Sequence, residues 1–183
     1  MQIAFYGTAR SVGTSANMAA VQAFLANDCP YVETMRQPEK SAAAKDFIFT
    51  DCSQIPEAGA IMETCDLLVL NLSISGRGLE TVYTAYSIVR KNVIFLIGKY
   101  IQSQSEEVMR IAREYRMERS RICMIPYHPG FARAYEHEKV PRFLKGQKQS
   151  ADSCADRYFN QQVERASKAV LTYANRKGDL FYG

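Results

Sequence analysis

Gly7-Thr8-Ala9-Arg10-Ser11-Val12-Gly13-Thr14-Ser15-Ala16-Asn17 follows a short apolar run, Ile3-Ala4-Phe5-Tyr6, and precedes Met18-Ala19-Ala20-Val21-Gln22-Ala23-Phe24-Leu25. The first run has the composition of a strand and the last that of a helix. Strand, glycine-bearing loop and helix in that order form the layout of a phosphate-binding loop, in which backbone N–H groups and a helix N-terminus face an anion. The lysine expected directly after Gly13 is absent. Thr14 stands there, and Ser15 keeps the position of the hydroxyl that follows it. The stretch predicts a loop suited to holding a nucleotide and poorly equipped to hydrolyse it.

Outward from this loop, apolar runs alternate with amphipathic segments. Strands are predicted at 3–6, 47–50, 67–72, 93–97 and 121–125, and helices at 15–26, 56–64, 79–90, 105–116 and 155–176. The strands are mostly short continuous apolar runs, as expected when both faces of a sheet are covered. This alternation predicts an α/β fold with a mainly parallel sheet, helices on both faces and right-handed crossovers. Ligands in such sheets sit at the carboxyl ends of strands. The loop, Asp51, Asn71, Lys99 and Pro126 all fall at such ends. Residues 27–45 read as an irregular connection, with 29–34 the only part that resembles an edge strand.

The chain of 183 residues fits a single domain, residues 1–183, able to bury a core without covalent staples. No apolar run reaches the ~20 residues of a membrane span, and Met1-Gln2 leads straight into a strand, so the expectation is a cytoplasmic protein. The five cysteines form no CxxC pair, which argues against zinc and a disulfide frame. Cys65 and Cys123 border apolar strands and read as core residues. Two histidines, His128 and His137, are too few for a histidine-built metal centre. A pairing of Cys52 with His128 lacks an oxyanion pattern, which counts against a cysteine hydrolase. Tyr83, Tyr86, Tyr115 and Tyr127 read as packing residues rather than a stacking platform for bases. The net charge of +4 is too small to indicate nucleic-acid binding by itself.

Three motifs together resemble the MinD/ParA family of P-loop ATPases, which includes the TadZ-like pilus localisation proteins. The family loop reads K-G-G-V-G-K-[ST]-[ST] and continues into N-L-A. Here Ala9-Arg10-Ser11-Val12-Gly13-Thr14-Ser15-Ala16 runs into Asn17-Met18-Ala19. Both lysines are replaced, by Ala9 and Thr14. Phe47-Ile48-Phe49-Thr50-Asp51 with Cys65-Asp66-Leu67 is similar to the second signature, and Met124-Ile125-Pro126-Tyr127 followed by Ala132 to the third.

The resemblance implies a P-loop NTPase-like fold, with residues 9–16 around the phosphates of ATP and Pro126 and Tyr127 against the base. Ser15 and Asp51 would serve magnesium. Ser15 reads equally as a helix cap, and Asp51 as a strand-end carboxylate bonding loop amides. The missing lysines remove charge stabilisation that dominates phosphoryl transfer. The acidic switch segment of the family is reduced to a short connection carrying Asp28, Glu33 and Glu39. The implied function is a nucleotide-binding spatial organiser or adaptor, a pseudo-ATPase that forms a homodimer through the loop face and engages a protein partner. One alternative is an active ATPase using Arg10 in place of lysine. Another is a DNA-binding partition protein, resting on Arg142, Lys145, Lys148, Arg165, Lys168, Arg176 and Lys177, a set that also reads as a solvated face. The C-terminal helix has an apolar face (Tyr158, Phe159, Val163, Ala166, Val170, Tyr173) too poor in bulky aliphatics for a membrane surface, and is predicted to pack on the sheet.

Overall fold

A computed structural model describes residues 1–28, 32–35, 47–53, 55–85, 92–149 and 153–175. Six strands form one sheet: β1 (Gln2–Gly7), β2 (Val32–Met35), β3 (Phe47–Asp51), β4 (Leu67–Leu72), β5 (Val93–Tyr100) and β6 (Ile122–Pro126). Their order is β2-β3-β1-β4-β5-β6, and every pairing is parallel. Seven α-helices accompany them among the described residues: α1 (Thr14–Asp28), α2 (Ala58–Thr64), α3 (Leu79–Ala85), α4 (Ser105–Glu114), α5 (Pro129–Glu136), α6 (Val140–Gln149) and α7 (Cys154–Asn175).

The strands are apolar on both sides because both sides are covered. All six residues of β4 are buried. Ile3, Phe5, Leu67, Val69, Ile94, Leu96, Cys123 and Ile125 share one core with α1, α5, α6 and α7. Ala4, Leu68, Leu70, Val93, Phe95 and Ile97 share the other with α2, α3 and α4. Strand order explains this division. The step from β1 to β2 runs toward one edge, whereas β3 to β4, β4 to β5 and β5 to β6 run toward the other. Right-handed crossovers therefore put α1 on one face and α2 to α4 on the opposite face. That leaves α1 alone until α5, α6 and α7 return over its side.

The helix α7 fills that side as predicted. Phe159, Val163, Ala166, Val170 and Tyr173 recur at alternating intervals of four and three and are all buried. Each large apolar side chain so buried contributes roughly 1.5–3 kcal/mol. Tyr158, at the edge of this stripe, is only half-buried. α1 is covered by the sheet and by α5, α6 and α7, and is apolar nearly all round, as an enclosed helix must be.

Two readings need correction. Within residues 27–45, Val32–Met35 is a strand, pairing in parallel with the outer edge of β3. It overlaps the part of this connection, 29–34, that resembles an edge strand, and is short and mixed in polarity because an edge strand has only one paired side. α6 was also not anticipated. Its Pro141 and Gly146 mask a helix that Val140 and Leu144, one turn apart and both buried, anchor to the core. Proline is tolerated there because the first turn of a helix has no N–H acceptor to lose. The predicted helix 79–90 is described to Ala85, its remainder lying outside the described residues with Glu39, the side chains of Asp28, Glu33, Tyr83 and Lys148, and residues 176–183.

Candidate functional site

β1 ends at Gly7, and the loop beyond it is pinned from β4. The Thr8 N–H donates to the Asn71 carbonyl at 3.0 Å, and the Thr8 hydroxyl donates to the Asn71 and Arg77 carbonyls at 3.3 and 3.1 Å. Fully buried Asn71 accepts from Asn17 Nδ2 at 2.9 Å and donates to the Tyr6 and Val69 carbonyls. This amide pair fixes the first turn of α1 to the end of β4. Ser11 (φ 61°) and Gly13 (φ 85°) turn the loop through the left-handed region. The Gly13 carbonyl then accepts the Asn17 N–H and starts α1. Among the described residues, no backbone N–H from Ala9 to Ala16 donates to a protein acceptor. Such orphan donors at a helix start favour negative charge.

Thr14 does not take the place of a lysine. It is buried, and its hydroxyl lies 2.5 Å from where a Cβ on Gly7 would stand. Its hydroxyl packs against Gly7 at the end of β1.

Residues 6–17 form one wall of a cavity of about 900 Å³. Lys99, residues 125–128 and Phe131, Ala132, Tyr135 and Glu136 form the opposite wall, with Ser53 also on the lining. The cavity lies where strand ends diverge: the connection from β1 leaves on one face and those from its neighbours β3 and β4 leave on the other. This is the crevice where open parallel sheets hold ligands. Its size suits a small-molecule ligand. Arg10 and Lys99 bring cationic side chains to the lining, against the single carboxylate of Glu136. Tyr127 is 58% exposed and Tyr135 37% exposed, so both offer ring surface at the rim. Tyr127 is thus not a packing residue.

The expected phosphate set, Ala9, Arg10, Ser11, Val12, Gly13, Thr14, Ser15 and Ala16, is brought together with Pro126 and Tyr127 around this cavity. Asp51 is not among its lining residues. Its Oδ1 accepts the Ser53 N–H at 2.9 Å, the loop-bonding arrangement read as its second role. Ser15 does line the cavity. No group of three His, Cys, Asp or Glu residues placed to hold a metal occurs among the described residues. Of the two residues expected to serve magnesium, the structure thus brings Ser15 to the cavity and leaves Asp51 off its lining.

Lys99 was visible only as a strand-end residue. It is the extra residue of a bulge, for Gly98 pairs with Ile125 and Tyr100 with Pro126, leaving Lys99 unmatched. Its φ of 54° is left-handed. Its Nζ donates to the Ser11 carbonyl at 3.2 Å, across the loop.

His128 is held structurally. Its Nδ1 accepts the Phe131 N–H at 3.2 Å, capping α5, so Nε2 carries the proton toward Asp156 Oδ1 at 2.8 Å. Asp156 also accepts from the Ser153 hydroxyl at 2.6 Å. These hydrogen bonds, those of Ser153 first and that of His128 next, hold the Asp156 carboxyl below its ordinary value. Burial pushes the Cys52 thiol up to about 12. An inert thiol and a fully committed imidazole give no support to a cysteine hydrolase. The basic set on the surface is partly spent: Lys168 pairs with Glu164 one turn away at 2.6 Å. No helix among the described residues is long and apolar enough to cross a membrane. Neither protein-family models nor curated proteins give a match to this chain.

Proposed function

We propose that this protein binds a nucleotide in the cavity at the end of β1 and acts as a pseudo-ATPase of the MinD/ParA kind. The observation that carries the reading is the row of backbone N–H groups from Ala9 to Ala16 without protein acceptors, at the wall of the strand-end crevice. Those donors and the start of α1 would hold the phosphates. Tyr127 and Pro126 across the cavity would lie against the base. Magnesium, where bound, would neutralise phosphate charge, and Ser15 is the residue of this chain that would meet it. The loop lacks lysine at positions 9 and 14, so turnover should be slow.

The wider role, a spatial organiser or adaptor that dimerises through the loop face, follows the resemblance. A second reading keeps catalysis and assigns it to Arg10, whose side chain also lines the cavity. Titration of ADP and ATP with and without magnesium, with phosphate release followed in parallel, separates these. Saturable nucleotide binding with turnover far below the ~1–100 s⁻¹ of ordinary phosphoryl-transfer enzymes supports the first. Rapid turnover abolished by Arg10→Ala establishes the second. Absence of nucleotide binding in either condition ends both.

A further inference from the structure

Resting on the nucleotide reading above, we propose that Lys99 supplies the phosphate-neutralising cation that the loop's own sequence lacks, delivering it from β5 instead of from the first turn of α1. Three separate features of the backbone converge on this placement. The bulge in β5 inserts Lys99 between two paired residues and so redirects its side chain out of the strand's regular alternation. The left-handed φ of 54° is one that an L-residue with a long side chain adopts only under constraint. Gly98, just before it, lets β5 approach the loop. A Cβ there would stand 2.5 Å from Asn17 Nδ2 and 2.8 Å from the Val12 carbonyl.

The result is an ammonium group on the loop. Nζ donates to the Ser11 carbonyl, and Cε lies 4.0 Å from where a Cβ on Gly13 would be. Ser11 and Gly13 lie within the segment, Ala9 to Ala16, whose N–H groups carry no protein acceptor. Lys99 is exposed and lines the cavity. One of its three N–H donors is spent on Ser11, which leaves two for an anion. A residue needed only to close the strand would sit more comfortably as glycine, which has no penalty at this φ. The ligand class is a polyphosphate carried by a nucleoside, because the lysine and the loop address charge whereas Tyr127 and Tyr135 offer aromatic surface on the same cavity.

The test is calorimetric titration of ADP, inorganic tripolyphosphate and adenosine into the wild type, Lys99→Met, Lys99→Gly and Lys99→Arg, with a thermal melt of each. Wild type should bind ADP and tripolyphosphate. Lys99→Met and Lys99→Gly should weaken both about tenfold or more, as loss of a charge-assisted hydrogen bond does, and Lys99→Arg should recover part of the loss. Adenosine, which carries no phosphate, should be held equally by all. Lys99→Gly guards against misfolding: it should melt at or above the wild-type temperature while binding phosphate less well. If the wild type binds ADP and tripolyphosphate and both charge-removing variants bind them equally well, the assignment of Lys99 is overturned while the nucleotide reading stands. If Lys99→Gly melts well below wild type with tripolyphosphate affinity intact, Lys99 is a structural brace and the proposal is equally overturned. If the wild type binds neither ligand, the nucleotide reading itself falls.

Discussion

A single methyl group added at two glycines should act in opposite directions. Gly78 has φ of 82°, and a Cβ there would lie 1.9 Å from the Thr8 carbonyl oxygen. Gly78→Ala should cost about 2 kcal/mol or more and disturb the loop through Thr8, a loss measurable by denaturant unfolding. Gly146, inside α6, has nothing within 4 Å of the same position. Gly146→Ala should stabilise by roughly 0.5–1 kcal/mol in the same assay. Cysteines divide just as sharply. Cys52, Cys65 and Cys123 are buried and Cys154 is exposed. Mass spectrometry after brief alkylation of the native protein should find Cys154 modified and those three protected. Burial pushes the Cys123 thiol up to about 11 and that of Cys52 to about 12, from 9.0. A group whose folded pKa is raised contributes stability below its unfolded value, and that contribution fades as pH climbs between the two values. Cys52→Ala should therefore flatten the decline in stability between about pH 9 and 12. At this scale the sequence was only partly informative. The turn at Val12, Gly13 and Ser15 between β1 and α1 could be read because the motif is local. The placement of Lys99 on the loop could not, because a bulge depends on the register between β5 and β6, which neither strand encodes alone.

Among the elements, α5 and α7 are joined by the hydrogen bond that His128 donates to Asp156, whose carboxylate also accepts from the Ser153 hydroxyl at the start of α7. Asp156 has a lowered pKa, so its contribution is present above the ordinary carboxylate value and disappears as pH falls through the lowered one. Melting curves of wild type and Asp156→Asn should differ at neutral pH, with the wild type higher, and converge in strong acid. Phe159 packs with its ring centroid 5.0 Å from that of His128 and 5.1 Å from that of Phe131. Phe159→Ala should cost ~3–5 kcal/mol by the cavity it leaves, read from the shift in denaturant midpoint. Elements were legible where composition and burial agree. Leu67–Leu72 reads as a strand because both faces are apolar, and it is buried at every residue. β2 was legible only as a resemblance to an edge strand at 29–34, because Val32–Met35 has one paired side, and α6 escaped because Pro141 and Gly146 break the helical pattern.

The whole molecule depends on its last described helix. α7 covers α1 and the faces of β4, β5 and β6. A chain ending before residue 154 should be insoluble or molten, binding a hydrophobic dye and losing near-ultraviolet dichroism. A truncated chain that stays folded and monodisperse, with the full-length protein sedimenting on anionic vesicles, would contradict this. The parallel α/β class was legible from alternation, but neighbour relations were not, because hydrophobic periodicity states that a strand is buried and not which strand lies beside it. The order that places β1 between β3 and β4 has a temporal consequence. On the ribosome, β1 emerges first yet gains its second neighbour only when β4 has been made, more than sixty residues later. The opposite wall of the cavity, at residues 125–136, follows later still. The loop after β1 is thus synthesised before the elements that enclose it. A nascent chain stalled before β6 would carry the loop without the opposite wall, so under the proposed nucleotide reading ligand capture would mark the end of folding and not its beginning.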